Sequence, residues 1–135
     1  MSGYSGTPLE RKLGMKPGAR LAMLGDARIE LDARAAESVR FDLRGKGELD
    51  LVILLCARRR TLEKYFKPCA DRLASNGGLW VGWPKKSSGV ETDLGEAAVR
   101  AFGLNAGLVD NKVCAIDETW SGLRFVYRLK DRPNR

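Results

Sequence analysis

A chain of 135 residues with 44% hydrophobic and 30% charged residues has the size and balance of one domain with one core. It contains no histidine, which excludes Ser-His and Cys-His nucleophile pairs and every His-containing metal site, while leaving Lys, Asp, Glu and Tyr chemistry open. With 24 Lys and Arg against 17 Asp and Glu, its net charge of +7 favours anionic partners such as nucleic acid, anionic lipid or phosphorylated metabolites.

Thr7-Pro8-Leu9-Glu10 opens the first element, with a capping threonine, a proline suited to the first helical position and a glutamate placed to reach back. The spacing predicts a short helix ending at Leu13 and stopped by Gly14, within a helical lead-in over residues 1–18. Lys16-Pro17-Gly18 is a turn, and Ala19 to Leu24 a first strand ended by Gly25. Two readings stay open over Asp26 to Glu37: a short helix through Ile29, Ala33 and Ala36, or strand alternation of Ile29 and Leu31. Val39 to Leu43 reads as a strand. Asp50 to Cys56 is the near-continuous apolar run of a strand buried on both faces; the run from Leu49 to Ala57 is far too short to span a bilayer. Thr61 is expected to cap a helix whose stripe is Leu62, Tyr65, Phe66, Cys69 and Leu73. Pro68 should bend that helix, and Asn76-Gly77-Gly78 should end it.

Leu79 to Trp83 follows as a buried strand halted by Pro84, which has no N–H for a ladder. It delivers a polar loop, Lys85-Lys86-Ser87-Ser88-Gly89. Asp93 and Glu96 form a second capping box for a helix with Leu94, Ala98, Ala101 and Phe102 inward and Gly107 as its stop. Val109 to Asp117 reads as a strand, Glu118 to Gly122 as a turn, and Leu123 to Leu129 as a half-exposed antiparallel strand. Residues 130–135 are expected to fray. Strands alternating with helices over one domain, 1–135, predict an α/β sandwich of three layers: a mostly parallel sheet with an antiparallel C-terminal hairpin strand. The start, Met1-Ser2-Gly3-Tyr4, lacks the charge and apolar core of a signal peptide, so a cytoplasmic location is expected, with no membrane partner.

Lys16 to Leu21, Leu49-Asp50-Leu51-Val52, Leu73 to Val81 and Ala106-Gly107-Leu108 before Val113 resemble, in that order, the approach to the first strand, the fourth strand, the fifth strand and the last pair of the class I (Rossmann-like) methyltransferase fold. The resemblance implies a Rossmann-like sheet that cradles S-adenosylmethionine with a glycine-rich loop after the first strand and an acidic residue ending the second. Here that loop is Leu24-Gly25-Asp26-Ala27-Arg28, with one glycine, and Asp42 stands near the acid's place. On that departure no cofactor is expected, with S-adenosylmethionine left as the one alternative. Tyr4 to Leu9, Trp83 to Gly89, Val109 to Cys114 and Asp117 to Leu123 are similar to a small bacterial family catalogued only as a domain of unknown function, which implies the fold and no activity.

Two polar segments fall where strands end, the place at which open α/β sheets bind ligands. Trp83, Lys85, Lys86, Ser87 and Ser88 form one; Asp117, Glu118, Thr119, Trp120 and Ser121 form the other. Their ammonium and hydroxyl groups suit a small anion or a nucleotide-like ligand, and Trp83 and Trp120 are candidates to line the site. A Lys-Asp ion pair clasping the sheet end is the structural alternative. Asp117 and Glu118 are adjacent, so their side chains should point apart, and no nucleophile with an evident base assembles. A binding module is therefore expected ahead of an enzyme. The alternatives are a nucleic-acid-associated basic protein, motivated by Arg58-Arg59-Arg60, and a divergent methyltransferase-like enzyme. Cys56, Cys69 and Cys114 lack ligand spacing and read as small hydrophobes, with no metal site.

Overall fold

In the computed structural model, which describes residues 9–131 (side chains of 33–35 excepted), the apolar runs become one six-stranded sheet. Its strands are β1 (Leu21–Gly25), β2 (Val39–Arg40), β3 (Leu49–Leu55), β4 (Leu73–Pro84), β5 (Leu108–Ala115) and β6 (Trp120–Tyr127). The helices are α1 (Leu9–Leu13), α2 (Ala33–Ser38), α3 (Arg59–Asp71) and α4 (Glu96–Asn105), with 3-10 turns at Lys86–Ser88 and Leu129–Asp131.

Strand order across the sheet is β2-β1-β3-β4-β6-β5. The pairs β1–β2, β1–β3 and β3–β4 are parallel. Only β6 is reversed, antiparallel to β4 on one side and β5 on the other. This is the mostly parallel α/β architecture with an antiparallel C-terminal strand that the alternation of elements implies.

The two faces of the sheet separate by strand alternation. Val52, Leu54, Leu79, Val81, Trp83, Leu123 and Phe125 face α3 and α4, meeting Leu62, Phe66, Cys69 and Val99. Leu51, Ile53, Leu55 and Trp80 face the other way, toward Leu13 of α1, Ile29, Ile116 and Trp120. Trp80 is fully buried and its indole N–H donates to the Leu13 carbonyl at 2.9 Å, so the polar edge of this large side chain is satisfied inside the core.

Several local expectations are corrected by contacts between distant residues. Gly77 and Gly78 do not end a helix; α3 stops at Asp71 and both glycines lie inside β4. A Cβ at Gly77 would stand 3.0 Å from the Leu49 carbonyl oxygen, and one at Gly78 only 2.5 Å from Nε of Arg124, so close neighbours, not chain reversal, require them. Thr61 does not cap α3, which begins at Arg59 with Arg58 at its N-cap; Thr61 is buried and donates to Asp26 Oδ1 at 3.0 Å. Pro68 stands inside α3, as expected, and the helix ends three residues later at Asp71. Asp93 does not cap α4, whose N-cap is Gly95. β6 starts at Trp120, inside the stretch expected to turn. β2 ends early because Asp42 accepts the Arg44 N–H at 3.0 Å and bends the chain. Of the open readings over 26–37, the helical one applies to its end, as α2. Gly14, with φ of +81°, ends α1 as expected. Thr7 and Pro8 of the first capping box, the segment Tyr4 to Pro8 and residues 132–135 of the tail lie outside the described residues. Among the described residues no helix is long and apolar enough to cross a membrane.

Candidate functional site

The carboxyl ends of β1, β3, β4 and β5 share one rim, since these strands are parallel. The two predicted polar segments meet there. Pro84 lies opposite Trp120 in the ladder, and the Lys85 N–H donates to the Thr119 carbonyl at 2.8 Å. Lys86 and Ser87 are exposed, and Lys85, Ser88, Thr119 and Ser121 are half-buried. Ser88 Oγ donates to the Lys85 carbonyl at 2.6 Å and accepts the Val90 N–H, so it shapes its own loop. Asp117 Oδ1 accepts the backbone N–H groups of Thr119 and Trp120, both at 2.8 Å. Its carboxylate builds the turn before β6, while Glu118 is exposed. Among the described residues no ion pair involves Lys85, Lys86, Asp117 or Glu118. What joins the two segments is the backbone.

Trp83 and Trp120 do not line the rim. They are 6% and 7% exposed and fill the two opposite faces of the core, because burying so large an apolar surface outweighs leaving it at a strand end.

Leu24 to Arg28, the loop where the methyltransferase resemblance places a cofactor, borders the crevice between β1 and β3, which none of the predicted site residues reaches. From β1 the chain moves outward to β2, and from β3 it moves the other way to β4; this reversal of direction is where open α/β sheets place ligands. Asp26 straddles it. Its N–H donates to the Leu55 carbonyl at 2.7 Å, its Oδ2 accepts the Ala57 N–H at 2.8 Å, and its Oδ1 takes the Thr61 hydroxyl. Asp93, from the loop after β4, accepts the Arg59 N–H at 2.7 Å. Two carboxylates thus meet the positive end of α3, where free N–H groups and the helix dipole favour negative charge. Gly25, with φ of +110°, allows the close approach: a Cβ there would overlap the Leu55 carbonyl oxygen.

Beside this junction lies a cleft of about 260 Å³ walled by Leu24, Gly25, Asp26, Arg28, Phe41 and Tyr65. The Phe41 ring is 43% exposed, and the Arg28 guanidinium stacks on it with its carbon 3.7 Å from the ring centre. Cys56 follows β3 next to the crevice but is fully buried. Burial pushes its thiol well up from the usual range, with the charge of Asp26 adding to the effect; it stays protonated and unreactive. Burial likewise pushes Cys69 up to about 12.

The basic run is divided. Arg58 faces Glu91 at 3.9 Å, and Arg59 pairs with Glu63 at 3.3 Å, with its guanidinium toward the Phe102 ring. Arg60 is exposed.

No family model matches the chain, and no curated protein matches it. Solved structures do. The N-methyltransferase NodS from Bradyrhizobium japonicum WM9 aligns with a TM-score of 0.53 at 13% identity, over 87% of this chain and 90% of NodS. TnmH aligns with a TM-score of 0.55 at 13% identity, over 89% of this chain and 46% of its own. A single-substitution variant of LepI, solved with S-adenosylhomocysteine (SAH) and a substrate analogue, aligns with a TM-score of 0.52 at 10% identity, over 89% of this chain and 39% of its own. The chain therefore spans less than half the length of TnmH and LepI. LepI has also been solved with S-adenosylmethionine (SAM). This corrects the expectation of no cofactor: a fold shared with a protein seen holding SAM and SAH gives one glycine after β1 no force as an argument against the ligand. What the likenesses establish for this chain is a methyltransferase-like Rossmann fold.

Proposed function

We propose that this protein is a cytoplasmic, methyltransferase-like module that binds an S-adenosyl ligand through its nucleoside end, in the cleft between β1 and β2. The observation that supports this reading is the exposed Phe41 ring facing a cleft at the carboxyl end of β1, beside the point where strand order reverses. An aromatic face is what a purine stacks on; Arg28 covers one face of the Phe41 ring, so a purine would take the other face or displace the guanidinium, with Tyr65 at the same walls. At about 260 Å³ the cleft falls just short of the roughly 300–1,000 Å³ of ordinary small-molecule sites, which suits a nucleoside more than a whole cofactor. The fit is partial. Asp26 is committed to Ala57 and Thr61, and Asp42 turns onto Arg44, so neither carboxylate stands free for a ribose. The lysine loop after β4 lies two strands from the cleft, about 10 Å at sheet spacing, and with Ser87, Ser88 and Thr119 it forms the place for a second, anionic group at the same rim. Membership of the small bacterial family resembled at Trp83 to Gly89 and Asp117 to Leu123 belongs to this proposal too.

Titration calorimetry with S-adenosylmethionine and S-adenosylhomocysteine tests it. Micromolar binding is expected, and Phe41→Ala should weaken it up to about tenfold, the value of one aromatic contact. Absence of heat with both compounds, or an unchanged affinity in Phe41→Ala, overturns the reading.

A further inference from the structure

On the α1 face, toward the amino ends of the strands, α1 and the strands β5 and β6 enclose a second cleft of about 280 Å³. Its charged walls are Arg11, Lys12, Lys16, Lys112 and Arg124, joined by the amide of Asn111, and among the described residues no carboxylate lines it. Lys112 Nζ donates to the Lys12 carbonyl at 3.1 Å, and Lys12 Nζ to the Ala115 carbonyl at 3.3 Å. Both bonds go to carbonyl oxygens, and they hold two ammonium groups at the cleft. Glu10 and Asp32 line an adjoining cleft that shares Arg11 and Lys16, and Glu10 there accepts the Asp32 N–H.

Arg124 is the centre of the arrangement. It projects from β6 opposite Trp80 of β4 and Lys112 of β5. Its guanidinium lies across Gly78, close enough that any Cβ there would collide with it. A guanidinium carries five donors, yet the hydrogen bond that Arg124 makes is to Asn111 Oδ1, at 3.4 Å. Among the described residues no carboxylate pairs with it. Burial pulls its pKa down from the ordinary value, as expected of a cation removed from water without a counter-charge. Half-burying a guanidinium among four like charges is unfavourable in the free protein. A bound anion relieves every one of these costs at once.

We propose that this cleft is a binding site for the phosphate or diphosphate group of a small molecule. A compact, multiply charged oxyanion matches its size, and guanidinium and ammonium groups are the donors that phosphate oxygens take. Among the described residues its walls hold no aromatic side chain on which a nucleic-acid base would stack, and it is a compact concavity, whereas nucleic-acid binding calls for an extended basic stripe.

Calorimetry and thermal melting of the full chain with inorganic pyrophosphate at low salt provide the test. Pyrophosphate should bind, raise the melting midpoint and lose affinity steeply as salt rises. Arg124→Gln should weaken binding at least about tenfold, the loss of one charge-assisted bond, while melting no lower than the parent without ligand. Lys16→Glu, at an exposed position, should weaken it similarly and decides the matter if Arg124→Gln fails to fold. Lys67→Ala, at an exposed position of α3 outside the cleft, should bind pyrophosphate as the parent does. No binding, or parental affinity in Lys16→Glu, overturns the proposal. So does a single-stranded oligonucleotide that binds more tightly than pyrophosphate and is lost with Lys16→Glu, since that assigns the cleft to nucleic acid.

Discussion

Lys85 and Lys86 head a loop whose shape is set by backbone groups and by the Ser88 hydroxyl. Neither ammonium group enters an ion pair among the described residues. Replacing both by alanine should change stability by less than about 0.5 kcal/mol, as surface substitutions usually do, and thermal melts should overlay. A loss of about 3–5 kcal/mol would instead reveal a buried pair broken by the change. At this scale the sequence was legible where the rule is local. Trp80 and Trp83, three apart on a strand, face opposite sides as alternation requires. Asp93 was not legible. It stands three residues before Glu96, yet its carboxylate caps α3, 34 residues away in sequence. Nothing in spacing alone tells an aspartate which helix end it will meet.

Helix α4 approaches the sheet most closely at Gly103, where a Cβ would overlap the Phe125 ring. That ring is fully buried and cannot swing clear. It meets Phe66 edge-on at 5.6 Å, and Phe66 in turn meets Phe102 at 5.3 Å. Gly103→Ala would add about 1 kcal/mol of helix propensity, but overpacking a full core costs about 1–3 kcal/mol. The variant should be less stable by up to about 2 kcal/mol in urea unfolding, the overpacking cost less the propensity gain; a gain in stability would show that the helix can simply lift. The elements read best from sequence are those whose signal is their own: the apolar run of β3 and the Leu62–Phe66–Cys69 stripe of α3, all buried. The glycine pair misled because glycine serves two ends. At 77 and 78 it makes room for the Leu49 carbonyl and for Arg124, neighbours supplied by other strands, and those cannot be read from the pair itself.

Across the whole molecule, 24 cations face 17 anions, so each structured carboxylate matters more as pH falls. Asp50 ties the start of β1 to β3, accepting the Arg20 backbone N–H at 2.8 Å, Nε at 3.1 Å and a terminal guanidinium nitrogen at 3.0 Å. The side-chain bonds from Arg20 hold its carboxyl below the ordinary 3.8. A depressed acid stabilises the fold above its unfolded value and loses that contribution as pH drops through the lower folded one. The pair is partly exposed, so the loss should stay under about 1 kcal/mol. Urea midpoints should fall as pH drops below the ordinary 3.8, and Asp50→Asn should flatten that part of the profile; parallel acid limbs in the two proteins would contradict it. At this scale the sheet was legible and the basic cleft was not. Arg11, Lys12, Lys16, Lys112 and Arg124 come from opposite ends of the chain, whereas the runs that stand out, Arg58 to Arg60 and Lys85-Lys86, face other surfaces.

The insertion of β6 between β4 and β5 also sets an order of events during synthesis. A chain elongated as far as Ala115 already contains every residue of β5, yet has no strand for it to pair with. Until Trp120 to Tyr127 emerge, the hydrogen-bonding edge of β4 from Leu79 to Pro84 stays open, and Phe125 is missing from its place against Phe66. The nascent domain therefore carries a bare, apolar strand edge, the feature most prone to mispairing, and the strand that covers it is translated after the other five strands of this sheet.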